Sequence, residues 1–147
     1  FLDIIDTAGI AARPGVVPLI NEALKAGIKL AVCSTANEGA VKAVLDAVAG
    51  PESTAHFTIF AGDMVAAKKP DPAVYLLALN SLDLDATRTV VIEDSAIGLR
   101  AARAAGTICI VTPSFYTAAE DFTGAGRIAQ DLGTIRLADC AAVLDGG

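Results

Sequence analysis

A chain of 147 residues that is 54% hydrophobic and carries a formal net charge of −6 is long enough to bury a core and too apolar to stay disordered. Its acidity excludes nucleic acid and anionic lipid as bulk partners. No apolar run approaches the ~20 residues of a membrane-spanning helix.

In chain order, Leu2-Asp3-Ile4-Ile5-Asp6 is an amphipathic segment, and Arg13-Pro14-Gly15 is a turn. The next helix places Val17, Ile20 and Leu24 on one face and stops at Gly27. Ile28 to Cys33 reads as a short buried strand ending at Ser34-Thr35. Asn37 caps a helix whose inner face is Ala40, Val41, Val44, Leu45 and Val48, and Gly50-Pro51 ends it. Phe57 to Phe60 is the next strand, and a loop through Gly62, Asp63 and Lys68-Lys69 follows. Asp71 and Pro72 then open a helix with Tyr75, Ala78, Leu79 and Leu82 as its stripe. Thr89 to Ile92 is a strand running into Glu93-Asp94-Ser95. Ser95 opens a helix whose Gly98, Ala101, Ala102 and Ala105 are small enough to lie close against a sheet. Ile108 to Val111 is a further strand; a short strand near Ile128 and a helix from Leu137 to Leu144 complete the tail. Cys33 and Cys109 fall in apolar, strand-like runs. With Cys140 they show no metal-ligand spacing, which predicts buried, reduced thiols.

This alternation predicts an α/β fold with a doubly wound parallel sheet. Such sheets bind ligands beyond the carboxyl ends of their strands. Three polar clusters follow a strand end or the loop after it: Ser34-Thr35, Lys68-Lys69 and Glu93-Asp94. Phosphate monoesters hydrolyse so slowly unaided that catalysts supply accelerations of up to ~10²¹-fold. The chemistry needs hydroxyl and N–H donors, a fixed cation, and a hard divalent metal on carboxylates. Ser34 and Thr35, Lys69, and Glu93 with Asp94 would provide those parts. Singly, each has a plainer reading. The Ser-Thr pair reads as a helix-start turn and the lysines as solvated loop residues. The adjacent carboxylates are hardest to dismiss, because desolvating them without a cation is costly.

Ser34-Thr35, Lys69-Pro70-Asp71-Pro72 and the run Val90-Val91-Ile92-Glu93-Asp94-Ser95-Ala96-Ile97-Gly98-Leu99 resemble the second, third and fourth motifs of the haloacid-dehalogenase-like (HAD) hydrolases. The Glu-Asp-Ser-x-x-Gly form is similar to the branch that holds β-phosphoglucomutases and CbbY-type sugar-phosphate phosphatases. Ala31-Val32-Cys33-Ser34-Thr35-Ala36-Asn37-Glu38 and Ile59-Phe60-Ala61-Gly62-Asp63 resemble its plant-type CbbY-like members, which dephosphorylate xylulose 1,5-bisphosphate in the chloroplast. The resemblance implies a HAD-like Rossmannoid core and a phospho-aspartyl intermediate. It implies Mg2+ on Asp94, with Glu93 a ligand or its support. Ser34 and Thr35 would bind the transferring phosphoryl group, Asn37 would lie near the substrate, and Lys69 would neutralise the phosphate and the attacking carboxylate. The implied partner is a small phosphorylated sugar, with no nucleic acid and no membrane. The parent enzyme would be monomeric and located in the chloroplast stroma, or otherwise in the cytoplasm.

The family's first motif, D-x-D-G-T, is absent, and Asp3 and Asp6, three apart, do not replace it. By resemblance residues 1–13 are the end of a cap helix and a linker, and 14–147 the C-terminal part of the core domain. The missing strand would lie centrally, between the strands at Thr89–Ile92 and Ile28–Cys33. The expectation is therefore an incomplete sheet with unpaired ladder groups, and a fragment unstable and inactive alone. Two other readings share these residues: a β-phosphoglucomutase-like sugar-phosphate mutase, and a non-catalytic pseudo-phosphatase or binding module. Gly124-Ala125-Gly126-x-x-Ala129 matches a dinucleotide fingerprint by letters only, with no βαβ context.

Overall fold

Successive side chains of a strand point to opposite faces, so a strand covered on both sides reads as one unbroken apolar run. Residues 30–33, 90–92 and 108–111 behave in this way. The structure, a computed structural model, describes residues 14–145 and the backbone of residues 2–5. Among the described residues the strands are β1 (Leu2–Ile5), β2 (Lys29–Cys33), β3 (Phe57–Phe60), β4 (Thr89–Glu93), β5 (Ile108–Val111) and β6 (Arg127–Ile128). They form one sheet in the order β3-β2-β1-β4-β5-β6, with all neighbouring strands parallel.

The helices are α1 (Val16–Lys25), α2 (Glu38–Ala49), α3 (Pro51–Thr54), α4 (Ala73–Ser81), α5 (Ala96–Ala104) and α6 (Leu137–Leu144). Leu30, Val32, Val90, Ile92 and Ile110 pack with residues of α1, α2 and α6 in one core. Ala31, Cys33, Val91, Cys109 and Val111 pack with α4 and α5 in a second core on the other face. The expected doubly wound parallel sheet is present.

The vacancy expected at the centre of that sheet is not. Leu2 pairs with Lys29 on one side and Thr89 on the other, and the register continues to Ile5 opposite Val32 and Ile92. The segment expected as the end of a cap helix is therefore a strand over Leu2–Ile5. The physical reason is the ladder itself: the inner edges of β2 and β4 carry N–H and C=O groups that require partners when buried. A short run with two isoleucines suits that extended role. The instability expected from an open ladder does not follow. Asp6, Thr7 and the rest of residues 6–13 lie outside the described residues.

The buried face of α1 is Val16, Leu19, Ile20 and Ala23; of the expected residues Ile20 is buried and Leu24 packs against the core, while Val17 is exposed. Gly50 ends α2 as expected, but Pro51 then opens the short α3 instead of a plain turn, since proline suits the first helical position. Gly15 has φ +86, and a Cβ there would overlap the backbone of Leu132. The tail crosses at that point through the Leu132 N–H, which donates to the Pro14 carbonyl at 3.1 Å. No helix among the described residues is long and apolar enough to cross a membrane.

Glu22 fastens α1 to the start of α6. It accepts from the Arg136 guanidinium at 3.1 and 3.2 Å and from the Leu137 N–H at 3.0 Å. These bonds, the Arg136 one foremost, hold its carboxyl below the usual glutamate value of 4.5. A carboxyl with a depressed folded-state pKa contributes stability above its unfolded value and loses it as pH falls through the folded one. Glu22→Gln should therefore lower the thermal midpoint at neutral pH and match the parent in strong acid. A gap between the two melting curves that stays constant with pH would contradict this.

Candidate active site

The three polar clusters meet at the carboxyl end of the sheet. β2 stops at Cys33, but the Ser34 N–H donates to the Phe60 carbonyl at 3.0 Å and extends the ladder by one residue. That bond seats Ser34 at 3% exposure, and its Oγ accepts the Ala36 N–H at 3.1 Å. A hydroxyl that accepts from the backbone keeps its hydrogen to donate. Thr35 beside it is exposed. Asn37 is also exposed, and its Oδ1 caps α2 by accepting the Ala40 N–H at 2.8 Å.

The loop from β3 to α4 folds back over this turn. Gly62 N–H donates to the Ala36 carbonyl at 3.3 Å, and a Cβ on Gly62 would overlap the Thr35 carbonyl. Lys68 Nζ donates to the Gly62 carbonyl at 2.8 Å, which fixes the loop. Lys69 then turns inward. Its side chain is only 6% exposed, and its Nζ donates to the Cys33 carbonyl at 3.2 Å and to Glu93 Oε1 at 2.6 Å. The same ammonium stands 4.8 Å from the centroid of the Tyr75 ring, within cation–π range. Lys69 is therefore not a solvated loop lysine.

Glu93, the last residue of β4, has a side chain with no exposure. Two donors converge on its Oε1, Lys69 Nζ and the buried Tyr75 hydroxyl. Its carboxylate lies against the first turn of α5, where a Cβ on Gly98 would overlap it. Buried charge is tolerated when paired and hydrogen-bonded. Here the pairing draws on β2, β4, α4 and the Lys69 loop together.

Asp94 follows, half-buried. Its carbonyl accepts from the Thr117 hydroxyl at 2.6 Å, and that hydroxyl's oxygen accepts the Ser114 N–H at 2.8 Å. Ser95 caps α5 by accepting the Gly98 N–H at 3.1 Å, as expected from its position. Behind the pair on β5, burial pushes the Cys109 thiol far up, and the Glu93 charge adds to the effect while Lys69 opposes it.

Ser34, Thr35, Lys68 and Lys69 line one small cavity, and Glu93 joins it through Lys69. Asn37 is not among that cavity's lining residues. The sequence reading did not find Tyr75 or Thr117 as contributors. Tyr75 lies six residues after Lys69 in an apolar stripe, and nothing in its spacing separates it from core. Thr117 stands in an irregular loop with no pattern to mark it.

Magnesium takes oxygen ligands in an octahedron and is usually held by one or two carboxylates, with waters and substrate phosphate completing the shell. Adjacent Glu93 and Asp94 fit that sparse donor set. No cluster of three or more His, Cys, Asp or Glu forms among the described residues. Glu93 is buried on Lys69 and Tyr75, while Asp94 beside it is only half-buried.

A haloacid dehalogenase-like hydrolase family model matches residues 3–106. A CBBY-like protein of Arabidopsis thaliana is 51% identical over 133 residues, covering 90% of this chain and 42% of that protein. Among solved structures, CbbY from Rhodobacter sphaeroides in complex with phosphate superposes with a TM-score of 0.84 at 47% identity. The match covers 88% of this chain and 58% of that one. A mutant of the same CbbY in complex with xylulose-(1,5)bisphosphate superposes at 0.83 and 48% identity, over 87% of this chain and 58% of that one. The chain thus spans about half the length of the relatives it matches.

Proposed function

Because the chain belongs to the haloacid dehalogenase-like hydrolases, we propose that it forms the phosphate-binding and metal-holding part of a magnesium-dependent sugar-phosphate phosphatase, with xylulose 1,5-bisphosphate as substrate. The observation that carries this reading is Lys69, buried at the sheet's carboxyl end between the Cys33 carbonyl and Glu93 and sharing a cavity with Ser34. A long, flexible cation fixed in that way is set for a compact anion. The CbbY relatives, one bound to phosphate and one to xylulose bisphosphate, support the substrate class.

In this mechanism Ser34 donates its hydroxyl hydrogen to a phosphoryl oxygen while the Ala36 N–H orients its Oγ. Thr35, exposed beside it, offers a second hydroxyl. Lys69 places positive charge against the phosphate. Asp94 would hold magnesium, which supplies neutralisation of the charge that grows on the transferring oxygens. Glu93 keeps Lys69 and the end of β4 in register. The sequence contains no D-x-D-G-T run, so these 147 residues assign no attacking carboxylate and the chain alone is expected to be inactive.

Phosphate release from xylulose 1,5-bisphosphate, followed with varied magnesium, tests the proposal. The chain alone should show none. Joined to a segment whose D-x-D-G-T strand replaces Leu2–Ile5 between β2 and β4, it should turn over. In that active form Asp94→Asn should lower turnover by roughly 10²-fold, the scale of losing one electrostatic stabiliser, and move the magnesium requirement upward. An unchanged metal response would sink the assignment of Asp94, and turnover by the chain alone would overturn the division of labour.

A further inference from the structure

Tyr75 contributes more than its volume to the core. It is one of the largest fully buried side chains, at 0% exposure, and sits on the face of α4 turned toward the end of β4. Its hydroxyl donates to Glu93 Oε1, the oxygen that also receives Lys69 Nζ, and the Lys69 ammonium stands over its ring. One carboxylate oxygen therefore divides its acceptor strength between a phenol and an ammonium. On the other side of that carboxylate, α5 closes in at Gly98.

We propose that Tyr75 is a positioning residue for phosphate binding, holding the Glu93 carboxylate so that the Lys69 ammonium keeps its charge directed at the phosphate. The proposal rests on the reading of Lys69 as the phosphate-binding cation. In a site sheltered from water, a hydrogen bond to one acceptor weakens that acceptor's hold on a second donor, because the two share the same lone-pair density. Without the phenol, Glu93 Oε1 serves Lys69 with one competing donor fewer. The ion pair tightens, the lysine is drawn toward Glu93, and less of its field reaches an anion held at the Ser34 hydroxyl. The ring below the ammonium acts differently. It supports the cation from a face that competes for no acceptor, and a phenylalanine would keep it.

The test is calorimetric titration of this chain with orthophosphate, for the parent, Tyr75→Phe, Lys69→Met and the double variant. Tyr75→Phe keeps the ring and its packing and loses only the hydroxyl. Its dissociation constant for orthophosphate should rise about tenfold, the range of one charge-assisted hydrogen bond. Lys69→Met should abolish most of the affinity, and adding Tyr75→Phe to it should change nothing further. A residue with a merely structural role would lower affinity by the same factor in both backgrounds. That multiplicative result, or parent-like affinity in Tyr75→Phe, overturns the proposal. If Lys69→Met leaves affinity intact, or the parent binds no orthophosphate, the reading of Lys69 itself fails and the role of Tyr75 falls with it. Tyr75→Leu, which removes ring and hydroxyl together, should weaken binding at least as much as Tyr75→Phe while circular dichroism reports the native fold; tighter binding than Tyr75→Phe overturns the role of the phenol.

Discussion

Lys69→Ala is expected to lower unfolding free energy by about 3–5 kcal/mol and to remove most of the orthophosphate affinity. The stability loss comes from Glu93. Its side chain has no exposure and that of Lys69 only 6%, so removing the ammonium strips a buried carboxylate of its cation. An exposed lysine–glutamate pair would cost only about 0–1 kcal/mol, and the two outcomes are far enough apart for urea titration to separate. Lys69→Met separates the causes: it restores buried volume without charge, so it should recover little of the stability and none of the binding. A loss near the exposed-pair range would mean that the pair opens to solvent and that Lys69 is not fixed.

Gly98→Ala should cost about 1–3 kcal/mol, although alanine at an ordinary helical position stabilises by about 1 kcal/mol relative to glycine. The sign is reversed by the Glu93 carboxylate, which occupies the space a Cβ would need. Either the carboxylate moves off Lys69 and Tyr75 or α5 moves off the sheet, and both disturb the cavity. The diagnostic lies in the background: once Glu93→Ala has cleared the space, Gly98→Ala should become neutral or stabilising. Equal destabilisation in both backgrounds, measured by chemical unfolding, would show that the contact with Glu93 is not the reason for glycine.

Much of the architecture was legible because its signals are local. β3 and β5 run over the expected Phe57–Phe60 and Ile108–Val111, and Asn37 and Ser95 cap the helices they precede. On α1 Ile20 and Leu24 pack inward as expected and Val17 does not, because Val16, Val17, Leu19, Ile20, Ala23 and Leu24 offer two overlapping apolar stripes and only the neighbours decide between them. The centre of the sheet was misjudged for a related reason. An amphipathic run such as Leu2–Ile5 satisfies a helix or a strand, and the open ladders on β2 and β4 decide.

The site was legible as a set of residue types and illegible as a set of contacts. Ser34, Lys69, Glu93 and Asp94 were found from chemistry placed after strands. That Lys69 turns inward to a carbonyl 36 residues back and a carboxylate 24 residues on is a tertiary fact. Gly98 was expected to let α5 approach the sheet; what it admits is the Glu93 side chain.

The parallel sheet also divides the molecule's tolerance for change in chain length. Ser34, Glu93 and Asp94 sit at or just past the carboxyl ends of β2 and β4, and Lys69 reaches that same edge. The turns that feed the amino ends of β2, β4 and β5 lie a strand's length away, roughly 13–17 Å at about 3.3 Å per residue. One of them holds Asp83, exposed and at φ 53. Insertions, affinity tags or a relocated chain start should be absorbed there without touching the cavity. At the opposite edge one added residue shifts Ser34, Glu93 or Asp94 off the Phe60 carbonyl, the Lys69 ammonium or the Thr117 hydroxyl that holds each in place. Length polymorphism should therefore accumulate on one edge of this domain, leaving the other fixed.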